Sequence, residues 1–116
     1  MPNPVVFFEV LGRDAEALPK FYGDAFGWNM ESVMPTYSMA RPGAERGIEG
    51  GVGSAPEGQP GHVTFYVEVD DLDAALEKVK SLGGSTVAEP MDIPDGPSIA
   101  LFADPEGHVV GLVKGM

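Results

Sequence analysis

Glu9 stands in the run VVFFEV, a carboxylate among apolar residues, and that setting invites a chemical reading. A carboxyl drawn partly out of water shifts toward its neutral form, which suits a general base, and an ionised one there would anchor a cationic ligand. The same placement fits equally well a structural Glu bonded to Tyr66 or to a backbone amide. His62 is the other acid-base candidate. In HVTFYVEV it shares a strand face with Thr64 and Tyr66, since alternate residues point the same way. As the residue after Gly61 it also reads as a solvated strand start. His108, in the turn sequence DPEGH, reads as an exposed turn residue. The chain contains no cysteine, which removes thiolate metal sites, iron-sulfur clusters, cysteine nucleophiles and disulfides.

The elements that must position these groups are legible from periodicity. Val6, Phe8 and Val10 alternate with Phe7 and Glu9, as in a strand with one apolar face. Asp14 then offers a helix cap, followed by Leu18, Phe21, Tyr22, Ala25 and Phe26 at helical spacing and by Gly27 as a stop. Pro19 argues that the regular helix starts only there, because proline disfavours helical angles in the residue before it. The pattern returns with Val63, Phe65, Val67 and Val69, then Asp71 as cap, then Leu72, Ala75, Leu76, Val79 and Leu82 inward, and Gly83 and Gly84 as the stop. Phe8 and Phe65, Asp14 and Asp71, and Gly27 and Gly84 are all 57 positions apart, about half of 116 residues. Short strands follow each helix, at 28–33, 37–41 and 46–52 and again at 85–88, 98–103 and 109–114.

The reading is therefore α+β: two βαβββ modules, residues 1–53 and 62–116, joined by a Gly/Pro-rich linker at 54–61. Their curved mixed sheets would enclose a cleft, with the helices packed on the outer, convex faces. Phe8 and Phe65 would lie beneath the helices, and Phe7, Glu9, Thr64 and Tyr66 would face the cleft. Trp28, Tyr37, Met39 and Phe102 would add aromatic and adaptable apolar surface to its walls.

A chain of 116 residues, 43% hydrophobic, fits a single domain. Seven Lys and Arg against 18 Asp and Glu leave a net charge of −11, which repels nucleic acid and anionic membranes alike. The N-terminal run has no basic flank and is broken by Glu9, unlike a secretory signal, and no stretch is apolar enough for a membrane span. A cytoplasmic protein is expected.

The segments VVFFEV, DAEALPKFYGDAFGW, HVTFYVEVDDLDAALEKVKSLGG and IALFADPEGHVVGL together resemble the vicinal oxygen chelate superfamily, which includes glyoxalase I, bleomycin resistance proteins and extradiol dioxygenases. The resemblance spans nearly the whole chain and lies nearest the small bacterial glyoxalase-like proteins. It implies paired βαβββ modules, a cup-shaped site and a homodimer. In catalytic members, His, Gln or Glu on the first and last strand of each module hold a divalent metal that chelates two substrate oxygens. Seven residues before Asp14 and Asp71, the first-strand positions fall on Phe7 and Thr64. The last-strand position after the DPEG turn is Gly111, and the matching stretch of module one, Ile48 to Gly51, offers Glu49 alone.

These side chains lack the converging nitrogen and oxygen donors that such a metal needs, so no metal is expected at the family position and no cofactor is expected, a displaced divalent site from His62, Glu9 and Glu49 being the alternative. Combining Phe7→His, Thr64→His and Gly111→Glu could create divalent metal binding, provided that Gly111 is not required by its backbone angles. The expectation is a protein that binds a small organic molecule, preferentially cationic, with Glu9 and His62 as candidate catalytic groups and Phe7, Trp28, Tyr37, Met39, Glu49, Thr64, Tyr66, Phe102 and Gly111 as candidate ligand contacts. The alternative is a metal-dependent glyoxalase-type lyase or isomerase, or a dioxygenase, acting on a small vicinal-oxygen substrate.

Overall fold

The computed structural model describes residues 2–115. The elements run β1 (Val5–Gly12), α1 (Ala17–Phe26), β2 (Asn29–Met34), β3 (Tyr37–Arg41), β4 (Glu49–Ser54), β5 (His62–Glu68), α2 (Leu72–Ser81), β6 (Ser85–Asp92), β7 (Ser98–Ala103) and β8 (Val109–Lys114). This is the α+β pattern of two βαβββ modules. Within the first, the strands lie in the order β2-β3-β4-β1, with β1 parallel to β4 and the other neighbours antiparallel. The second repeats this as β5-β8-β7-β6, with β5 parallel to β8. By contacts, Phe7–Thr64 forms one compact unit and the chain before and after it forms the other. His62, Val63 and Thr64 thus group with the first unit, although β5 opens the second repeat.

In the first unit the pleat of β1 sends Phe8 and Val10 toward α1. There Val10, Ala40 and Val52 form a buried core that Phe8, Leu18, Tyr22, Trp28 and Met30 complete. In the second, Leu72 and Leu76 of α2 bury against Ala100 and Leu112, with Val67, Val69, Ala75 and Phe102 around them.

Helix α1 begins at Ala17, two residues before the expected start at Pro19. Proline at the third helical position forfeits only an N–H that has no partner inside the helix anyway. The Asp14 carboxylate accepts from the backbone N–H of Glu16 and Ala17, both at 2.9 Å. Those two bonds, Ala17 foremost, hold the Asp14 carboxyl below its usual 3.8. With the folded value depressed, its support of the helix start is present above the normal carboxylate range and is lost as pH falls through the folded value. Asp71 caps α2 similarly, accepting from the Ala74 N–H at 3.0 Å.

Four packing expectations require correction. Phe65 is 42% exposed and Leu82 70%, while Phe21 and Phe26 of α1 are 60% and 62% exposed. Each helix has only ten residues, and its apolar stripe is narrower than the sequence suggests. The α2 cluster takes up Val67 and Val69 and leaves out Phe65. Phe8→Ala is therefore expected to cost about 3 kcal/mol as a core cavity, and Phe65→Ala about 1 kcal/mol or less. Equilibrium unfolding in urea measures both, and equal costs would contradict the assignment of Phe8 alone to the core.

Candidate functional site

The face of the first unit turned away from α1 gathers most of the candidate residues. Strand register fixes this. Phe7 pairs with Glu49 and Glu9 with Gly51 across β1 and β4, while Gly51 also faces Met39, and Tyr37 faces Gly53, across β4 and β3. Opposed residues share a face, so Phe7, Glu9, Tyr37, Met39 and Glu49 all lie opposite the Phe8 and Val10 side. Trp28 does not join them. It packs in the α1 core, stacked on Tyr22 at 5.7 Å between ring centres. Its position just after Gly27, at the turn from helix to strand, places the indole over the helix instead of across the sheet.

Glu9 is the centre of this face. It is buried, and its two carboxylate oxygens have separate partners: the Tyr37 hydroxyl donates to Oε2 at 2.9 Å, and His62 Nε2 lies 2.8 Å from Oε1. Tyr37, 28 residues away in sequence, is thus a structural partner of this carboxylate. His62 stands at the strand start yet keeps only 26% of its side chain exposed, because Glu9 draws the ring in. Whichever of the pair carries the proton, Nε2 is committed to Glu9, so proton exchange with a ligand would fall to Nδ1. Thr64, two residues on, is itself buried.

Gly51 matters for a reason the sequence only hints at. The Tyr37 ring lies directly on it, and a Cβ built there would come within 1.6 Å of the Tyr37 hydroxyl oxygen. The bare backbone of Gly51 is what lets Tyr37 reach across β4 to Glu9. The GG pair in IEGGVG is the available signal, since glycine inside a strand marks a close approach.

The second unit builds a related arrangement. Tyr66 is buried with its ring over Gly111, where a Cβ would come within 2.4 Å. Both lie on the face away from α2, because the neighbouring Val67 packs toward the helix. Phe102, in contrast, packs in the α2 core, since its partner in register is Val110 and not Gly111. Trp28 and Phe102 thus stand on the helix-facing sides of their sheets, contrary to their expected place on a cleft wall.

Donor chemistry at the metal positions that the family resemblance implies does not fit a divalent ion. Phe7 has no donor atom, Gly51 and Gly111 lie beneath tyrosine rings, and Thr64 supplies a single hydroxyl. Glu49 is tied to Arg41, which also holds Glu31 at 2.9 Å. Among the described residues, no three His, Asp or Glu converge as a metal site would require. The three-residue replacement also fails on geometry, because a side chain at Gly111 meets the Tyr66 ring. In the DPEGH turn, the Asp104 carboxylate binds the backbone and ring of His108, which stays exposed.

Comparison with known proteins agrees with the fold. Residues 5–112 match the model of the Glyoxalase/Bleomycin resistance protein/Dioxygenase superfamily. The "Putative glyoxylase CFP32" of Mycobacterium tuberculosis is 37% identical over 106 residues, covering 85% of this chain but 41% of that protein. This chain thus spans about two fifths of that relative's length. A "Glyoxylase-like domain-containing protein" of Didymella fabae is 32% identical, covering 86% of this chain and 84% of its own. A solved superfamily member from Vibrio splendidus superposes with a TM-score of 0.66 at 16% identity, over 98% of this chain and all of that one.

Proposed function

For this chain, which belongs to the Glyoxalase/Bleomycin resistance protein/Dioxygenase superfamily, we propose the binding of a small organic molecule on the Glu9 face of the first unit, without the metal of the catalytic members. The observation that carries this reading is the buried Glu9 carboxylate held between Tyr37 and His62. A buried carboxylate costs several kcal/mol of lost hydration, so a ligand bringing positive charge would find strong complementary charge there. The net charge of −11 points the same way, toward cations. A cytoplasmic homodimer belongs to the same reading, supported by the family resemblance and, for the compartment, by the absence of cysteine.

A cationic glycopeptide serves as probe. Metal-free bleomycin titrated calorimetrically into the protein should give a saturable heat, and Glu9→Gln should weaken it about ten-fold or more, the loss of one charge-assisted contact. No saturable heat, or equal affinity in the variant, would remove Glu9 as a ligand anchor.

The Glu9–His62 pair also supports a second reading, an acid-base lyase or isomerase acting on a small carbonyl compound. With Glu9 orienting the ring through Nε2, Nδ1 would exchange a proton with substrate. Turnover that His62→Gln abolishes while bleomycin affinity persists would favour the enzyme.

A further inference from the structure

We propose that the helix-facing side of the first unit holds a second binding site, for an aromatic carboxylate. A cavity of about 420 Å³ opens there, lined by Phe8, Phe26 and Trp28 together with Pro42, Arg46 and Ile48 from the loop between β3 and β4. It lies across the sheet from Glu9, because Phe8 and Glu9 are adjacent in β1 and point to opposite faces. The volume is that of a small-molecule site.

Two observations define the occupant. The first is a wall of aromatic rings left open to solvent. Trp28 sits 5.3 Å from both Phe8 and Phe26, centre to centre, and Phe26 is 62% and the lining residue Ile48 39% exposed. A flat apolar group seated against the rings would bury this surface and gain ring-ring contact.

The second is Arg46. In a chain with 18 carboxylates for seven Lys and Arg, Lys20, Arg41 and Lys80 each hold an acidic partner. Arg46, like Arg13, Lys78 and Lys114, makes no ion pair or side-chain hydrogen bond among the described residues, and of these four it alone lines the cavity, while Arg41 on the same hairpin holds two carboxylates. A guanidinium on the lining of an aromatic pocket matches a carboxylate in shape and charge through two parallel N–H bonds. Elsewhere the protein's negative charge repels anions, so selectivity for an acid would depend on this one side chain.

Trp28 is the only tryptophan and lines the cavity, so its fluorescence reports occupancy. The wild-type protein is titrated with 4-phenylbutyrate and with the neutral 4-phenylbutan-1-ol, and the Arg46→Met and Phe26→Ala variants likewise. The acid should bind about ten-fold tighter than the alcohol. Arg46→Met keeps the apolar stem and should bring the acid down to the alcohol's affinity, and Phe26→Ala should weaken both. Arg46 and Phe26 are exposed, so neither variant should disturb folding, which unfolding in urea would confirm. No saturable response to the acid, equal affinity for acid and alcohol, or an acid preference that survives Arg46→Met would each overturn the proposal.

Discussion

Gly51→Ala is expected to destabilise the protein by about 3 kcal/mol, a large penalty for one methyl group on a strand. Ordinary overpacking costs about 1 to 3 kcal/mol. Here the added Cβ would come within 1.6 Å of the Tyr37 hydroxyl oxygen, so the ring must leave and its bond to Glu9 goes with it. Losing a hydrogen bond to a buried carboxylate adds about 1.5 kcal/mol or more. Urea unfolding gives the number, and a cycle with Tyr37→Ala gives its cause: in that background the methyl should cost little. Gly111→Ala should behave the same way against Tyr66. An additive cycle would mean that tyrosine contact is not why these glycines are there.

Glu9→Ala is expected to cost about 3 kcal/mol, since it takes from Tyr37 and His62 the acceptor between them and leaves a void in a buried place. Glu9→Gln should cost about 1 kcal/mol, because an amide still accepts from the Tyr37 hydroxyl and donates to a neutral His62 ring. The ordering Ala well below Gln distinguishes a hydrogen-bonded hub from a carboxylate whose charge alone matters, for which the two variants would be equally costly. Thermal or chemical denaturation near neutral pH decides between them.

Much of this arrangement is legible in the amino-acid sequence. The helix starts near Asp14 and Asp71 and the strands at 37–41, 98–103 and 109–114 follow from caps and alternation, local signals that need no knowledge of the partner strand. Alternation also separates Phe8 from Glu9. What it does not supply is which strand lies beside which. Tyr37 meets Glu9 only because β4 runs between β3 and β1 and is bare at Gly51, a relation 28 residues apart in sequence. The same limit explains Trp28 and Phe102. An aromatic near a strand suits either face until the register is known, and the register sends both to the helices. Phe65 departs from expectation differently, because its alternation is right but the α2 cluster takes in only Val67 of β5, with Val69 just beyond the strand. Arg46 carries no sequence signal at all, since only its place on the cavity lining sets it apart from the other unpaired cations.

The claim that the Glu9 face binds its ligand without a metal is tested most directly by titrating metal-free bleomycin calorimetrically with and without excess EDTA. The expected result is one saturable isotherm with the same affinity in both, because Phe7, Thr64, Gly51 and Gly111 supply no ligand set for EDTA to strip. Binding that EDTA abolishes and added Zn²⁺, Ni²⁺ or Mn²⁺ restores would contradict it.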